Sequence, residues 1–176
     1  MKIPTCIEIE NLVARKWGFR QNIIVPNIHW GLNIHECDLL IISKSNWATE
    51  VEIKVSKSDL KKDAEKGHGH NSKKIKFLYF AIPEKLESCI ELIPIRAGII
   101  IVRNRDIGYG FYLEIIREPQ RNEHAVKLTD DEVKQVSRLG CMRIWGLKTT
   151  VIGLMNDVKW LRSEQSVQVS DTTKAK

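Results

Sequence analysis

Two strand-length apolar runs, Cys37 to Ile42 and Val51 to Val55, flank the polar stretch Ser43 to Trp47, and carboxylates stand in and beside both. Residues of equal parity share one face of a pleated strand. Cys37, Leu39 and Ile41 therefore face one way, and Glu36, Asp38, Leu40 and Ile42 the other. In the second run Val51, Ile53 and Val55 form an apolar face, while Glu50, Glu52 and Lys54 point opposite. Each strand thus has one wholly apolar face.

An antiparallel hairpin closed symmetrically about Ser45 sets Asp38 directly across from Glu52 and Glu36 across from Lys54. Directly opposed side chains have Cβ atoms roughly 4.5–5.5 Å apart. Two carboxylates so close repel unless one is protonated or a cation sits between them. A divalent cation removes the conflict, and oxygen-only ligands suit magnesium or manganese. Asp38 and Glu52 are the candidate metal ligands, with the backbone carbonyl of Ile53 as a further one. Lys54, on the carboxylate face, is placed to orient an attacking water or to balance charge on a phosphate. The same residues also fit a plain salt-bridge ladder on a half-exposed hairpin. The acidic-x-Lys string by itself discriminates nothing, since Asp59-Leu60-Lys61, Glu132-Val133-Lys134 and Asp157-Val158-Lys159 repeat it. Only the Glu52 copy lies in a β-branched run preceded by a strand with its own aspartate.

Around this hairpin, Thr5 is an N-cap for a helix to about Lys16, with Ile9, Leu12, Val13 and Trp17 as its apolar stripe and Gly18 as its stop. Phe19 to Val25 reads as a strand, and Pro26-Asn27 as punctuation. Ser56 or Ser58 caps a short helix through Lys66, with Leu60 and Ala64 inward and Asp59, Lys62, Asp63 and Lys66 on its other side. Strands follow at Ile75 to Ile82, Ala97 to Val102 and Tyr109 to Ile116, with Pro83 starting a short helix. Thr129 to Glu132 is a capping box opening a helical region to about Arg162. In that region Leu147, Val151, Leu154, Val158 and Leu161 fit a stripe on the domain's core better than the seam of a homodimer. The polar residues 163–176 read as a disordered tail, leaving 1–162 as one domain.

The order of helix, strands, helix and strand, with Asp38 ahead of Glu52-Ile53-Lys54, resembles the PD-(D/E)XK nuclease superfamily. The runs EVEIKVSKSDLKKDAEKGH and FLYFAIPEKL are similar to the MmcB-like group of DNA-repair nucleases. The resemblance covers roughly Cys6 to Val102, with Cys37 where the superfamily's name places proline. It implies an α/β, restriction-endonuclease-like core over about 5–116, an α-β-β-β-α-β mixed sheet flanked by helices, with a C-terminal helical extension over 129–162. It further implies a magnesium- or manganese-dependent endonuclease or exonuclease acting on DNA, in repair or in a mobile element. Asp38, Glu52 and Lys54 would be its catalytic residues, Glu10 of the first helix an outer helper, and Lys66 the basic residue after the motif helix.

Glu8 is the alternative helper to Glu10, and Glu36 is placed to tune Lys54 or serve a second metal. Lys57, Lys62, Lys73 and Lys74 could hold flanking phosphates. His68 and His70 could touch phosphate or move a proton, whereas a zinc site in their glycine-rich loop is disfavoured with no cysteine nearby. His35 reads as structural. Trp30 and Trp47 fit packing over the sheet edge better than stacking on bases. A net charge of +6 suits a polyanionic partner. The cysteines are scattered, without a CxxC pair, and read as reduced thiols. The longest apolar runs are strand-length, and MKIPTCIEIE lacks the apolar stretch of a signal peptide, so a cytoplasmic protein with no membrane partner is expected.

Overall fold

The computed structural model describes residues 2–28, 32–65, 70–105 and 110–174, with side chains as far as 162. The chain forms two compact units, residues 1–140 and 141–176. In the first, Thr5 opens α1 (Cys6–Trp17) through a reciprocal capping box with Glu8, and Gly18 closes it in the left-handed conformation, φ 73°. Ile9 and Val13, four residues apart, form its buried face.

The expected strand over Phe19 to Val25 starts later. After Gly18 the chain makes a tight turn, in which the amides of Gln21 and Asn22 donate to the Gly18 carbonyl at 2.8 and 3.1 Å. Strand β1 is consequently Ile23–Ile28 and runs through Pro26. Proline, which has no amide to donate, is accommodated because β1 is an edge of the sheet.

Strands β1, β2 (Cys37–Ile42), β3 (Ala48–Ile53), β4 (Ile75–Pro83), β5 (Gly98–Asn104) and β6 (Phe111–Arg117) lie in one sheet in chain order. The first three pair antiparallel, β3 with β4 and β4 with β5 pair parallel, and β6 returns antiparallel. Parallel neighbours need crossovers. The first contains α2 (Lys57–Ala64), capped by Ser56, and the second a 3₁₀ segment, Glu84–Leu92, entered from Pro83.

The hairpin closes about Ser45: Leu39 pairs with Val51, Leu40 with Glu50, Ile41 with Thr49 and Ile42 with Ala48. Asn46 takes the left-handed turn position, φ 63°, and donates its amide to the Ser43 carbonyl at 2.9 Å. Glu36 does not reach a ladder position opposite Lys54. It is exposed ahead of β2, and the Lys54 amide donates across to Ala81 of β4 at 3.1 Å.

Alternation sends the side chains to two covered faces. On one, Leu39, Ile41, Val51, Ile53, Ala81, Ile100 and Val102 are buried under α1. On the other, Leu40, Ile42, Ala48 and Ile75 lie with Leu128, Val136 and Leu139, while Leu78, Phe80, Ile82, Ile99 and Ile101 lie with Leu60, Leu86 and Cys89. Each Leu, Ile, Val or Phe side chain so taken from water contributes about 1.5–3 kcal/mol. On this second face Glu50 stands between Leu40 on β2 and Leu78 on β4, so β3 carries its carboxylates between two apolar clusters.

Helix α3 (Asp130–Lys174) begins in the first unit, capped by Thr129 and Glu132, and from Cys141 constitutes the second. It continues beyond Arg162 into residues whose composition predicts disorder; after Gly153 no glycine or proline interrupts it. The apolar stripe forms no core within that unit, which is a single helix: Leu147, Val151, Leu154, Val158 and Leu161 are exposed along it. No helix among the described residues is long and apolar enough to cross a membrane.

A candidate acidic and histidine site on the third strand

The end of β3 carries a buried polar network built from strand alternation. Glu50, Glu52 and Lys54 all project to the second face, and all are buried. Asp38 reaches them from β2: its Oδ2 accepts the Ile53 amide at 2.8 Å, and its own amide donates to Glu52 Oε1 at 3.4 Å. The Lys54 ammonium donates to Glu52 Oε2, lies 3.3 Å from Asp38 Oδ2 and 3.4 Å from Asp63 Oδ1. Asp38, with its side chain 30% exposed, is the member open to solvent, and its Oδ1 makes no hydrogen bond among the described residues.

Charge and burial oppose each other here. Burial, reinforced by Asp38, pushes the Glu52 carboxyl up to about 7 against the pull of Lys54. Burial alone would lower the Lys54 ammonium, but the charges of Glu52 and Asp38 outweigh it and hold the group above its ordinary range. Lys54 therefore stays protonated at any physiological pH.

Helix α1 closes one side. Burial and the Asp38 charge raise the Glu10 carboxyl, and burial with Glu10 and Asp38 pushes the Cys6 thiol up to about 11. Glu10 is thus within electrostatic range of the aspartate, whereas Glu8 is spent on the cap, accepting from the Thr5 amide at 2.8 Å and from Lys2 at 2.7 Å.

The network extends to residues that hydrophobic periodicity does not single out. Glu50 Oε1 lies 2.7 Å from Nε2 of His35 and 2.7 Å from Nδ1 of His70, and Nε2 of His70 lies 2.8 Å from Asp63 Oδ2. Asp63 is therefore turned inward, not to the outer side of α2 where helical spacing puts it, while Ala64 is exposed. The cause is a long-range partner: His70 and Lys54 stabilise a carboxylate beside Leu60 that would be costly there alone. His70 is 1% exposed, with both ring nitrogens on carboxylates, instead of lying at the surface as a phosphate contact. Burial would lower its pKa, yet the hydrogen bonds to Asp63 and Glu50 prevail and hold it up at about 9. Against burial, the hydrogen bonds and charges of His35 and His70 keep Glu50 below its ordinary value. One signal for Glu50 is legible in the sequence. A carboxylate in the middle of a β-branched strand, sharing parity with Glu52 and Lys54, requires buried partners.

Of the basic candidates, Lys57, Lys62 and Lys73 are exposed, and Lys74 pairs with Glu132 at 2.6 Å. Lys66, His68 and Trp30 lie outside the described residues. Trp47 lies beneath the Lys76 ammonium, 4.0 Å from its ring centroid.

No protein-family model and no curated protein matches the chain. Among solved structures it is similar to the SPO1766 protein of unknown function from Silicibacter pomeroyi, with a TM-score of 0.60 and 16% identity over 84% of this chain and 94% of that one. That likeness concerns the fold alone.

Proposed function

We propose that this chain is a metal-dependent nuclease that hydrolyses phosphodiester bonds in DNA, of the PD-(D/E)XK type. The observation that carries the reading is the convergence of Asp38, Glu52 and Lys54, with Lys54 contacting both carboxylates at a partly open strand end. The order α1-β1-β2-β3-α2-β4 accords with a restriction-endonuclease-like core.

The donor set fits a hard divalent cation. Asp38, Glu52 and Asp63 surround the single ammonium of Lys54, and burial together with the Asp38 charge keeps the Glu52 carboxyl raised in spite of it, so a hard cation beside Asp38 and Glu52 would favour both carboxylates in their charged form. Asp38, Glu52 and the Ile53 carbonyl would hold magnesium or manganese. Such an ion supplies a bound water of lowered pKa and a positive charge beside the scissile phosphate. Lys54, permanently charged, orients the attacking water and stabilises the charge that builds on the phosphate oxygens. Glu10 of α1 serves as an outer helper, and the exposed Lys57, Lys62 and Lys73 hold flanking phosphates. A role in DNA repair or processing rests on the sequence resemblance alone.

A non-catalytic nucleic-acid-binding module is the competing reading, favoured by Lys54 already pairing with both carboxylates. The two separate on linear, nicked, flapped, branched and single-stranded DNA with magnesium or manganese. We expect cleavage that a chelator stops, and that Asp38→Asn and Lys54→Ala each reduce by roughly 10²–10³. No cleavage by the wild type, or equal cleavage by both variants, rejects the nuclease. Salt-sensitive binding that survives without cleavage supports the module.

A further inference from the structure

We propose that His35, Glu50 and His70 form a separate binding site for a nitrogen-preferring transition ion such as zinc. The three come from different places: His35 precedes β2, Glu50 is inside β3 and His70 follows α2. Their donor atoms nevertheless all lie within 4.8 Å of one another. Two imidazole nitrogens and one carboxylate oxygen, with a position left for water, is a ligand set that zinc accepts and magnesium does not favour.

What surrounds the trio points the same way. The ring nitrogen of His70 that faces away from Glu50 meets Asp63 at 2.8 Å, the carboxylate–histidine arrangement that fixes ring orientation behind a metal ligand. The His70 backbone takes the left-handed conformation, φ 56°, and its carbonyl accepts from Arg96 at 2.6 Å. A non-glycine residue holds that conformation at a cost, so its surroundings keep this ring where it is. The His35 and His70 rings stand edge to face, centroids 4.9 Å apart and planes at 88°.

Glu50 supplies the independent observation. Its side chain is fully buried, and Oε2 has no hydrogen-bond partner among the described residues. A buried carboxylate oxygen without a donor is costly. An ion bound by this carboxylate would meet that need, which two histidines on Oε1 do not.

There is also a way in. His35 lines a surface cleft together with Asn33, Ile34, Ser72, Lys73 and Lys74. The site is distinct from the one proposed for catalysis: Glu50 and Glu52 are two residues apart on one strand, roughly 7 Å, and the donors here are mainly nitrogen. The ion would fasten the segment at His70 to β3, a structural role that stands whether or not the chain cleaves DNA.

The test uses the whole purified protein, stripped with a chelator, dialysed, and titrated with cobalt(II) in excess magnesium. Visible d–d absorption reads nitrogen ligation, and native mass spectrometry counts ions. We expect one cobalt retained and displaced by zinc. Its affinity should fall on the order of 100-fold in His35→Gln, and on the order of 10–100-fold in Asp63→Asn, which removes the charged support of His70 along with the Asp63 contact to Lys54 and leaves all three ligands in place. Asp38→Asn should leave the spectrum unchanged. His35 is the least buried ligand; should its variant fail to fold by circular dichroism, His70→Asn, suited to left-handed backbone, replaces it. Absence of cobalt binding, or absorption lost in Asp38→Asn and kept in the histidine variant, overturns the proposal. Either result would make the trio a hydrogen-bonded support and nothing more.

Discussion

His70 concentrates the electrostatics of this protein in one ring. It faces Glu50 and Glu52 from β3, Asp63 from α2 and the His35 ring, with Arg96 on its own carbonyl. In metal-free protein its pKa rises from 6.5 to about 9, so the native state holds a proton that the unfolded chain has released. The stability this contributes is fully present below pH 6.5 and disappears as pH climbs through about 9. Glu52, raised from 4.5 to about 7, acts in the same sense over a lower window. Chelator-treated wild type should therefore lose on the order of 2 kcal/mol between pH 6.5 and 9. His70→Gln should start less stable and stay nearly flat over that interval. Urea midpoints at both pH values decide this, and parallel curves for the two proteins would show that His70 does not carry the proton.

Strands β4 and β5 meet where a side chain is excluded. Gly98 pairs with Tyr79, and a Cβ built on Gly98 would stand 2.5 Å from the Tyr79 ring and 3.0 Å from the Arg117 carbonyl. The ring is fixed in turn by its hydroxyl on Glu118 at 2.8 Å and by Trp17 edge-on at 5.2 Å. Gly98→Ala should destabilise by about 1–3 kcal/mol, read as a shift of the denaturant midpoint; an unchanged midpoint would mean that Tyr79 moves aside freely. Elements such as the β2–β3 hairpin were legible in the sequence because their cause is local. Two β-branched runs about a polar turn leave one register in which both apolar faces agree, and that register brings Asp38 to Glu52. Thr5 and Pro83 mark their helices for similarly local reasons. Asp63 and Glu50 were not legible as partners of His70, because nothing within a few residues of either explains a buried carboxylate. The late start of β1 escaped too, since a turn after Gly18 competes with β-propensity only through its own amide contacts.

Over the whole molecule the basic excess is mild, +6, so the DNA affinity that the proposed function requires should come from few phosphate contacts and show a correspondingly modest salt slope. With the exposed Lys57, Lys62 and Lys73 changed together to alanine, the slope of log affinity against log salt should flatten by roughly 2–3. A slope that does not move would put the nucleic acid on another face. The strand order has a kinetic consequence as well. Because every ladder joins strands adjacent in the chain, none waits for the two ends of the sheet to meet, and only the parallel pairs β3–β4 and β4–β5 must first close a longer crossover. The β2–β3 hairpin has the shortest closure. In pulsed hydrogen exchange during refolding, amides of β2 and β3 should gain protection before those of β5 and β6. On a ribosome the same hairpin could pair while β6 is still being synthesised, so the carboxylates would be assembled before the sheet that buries them is complete.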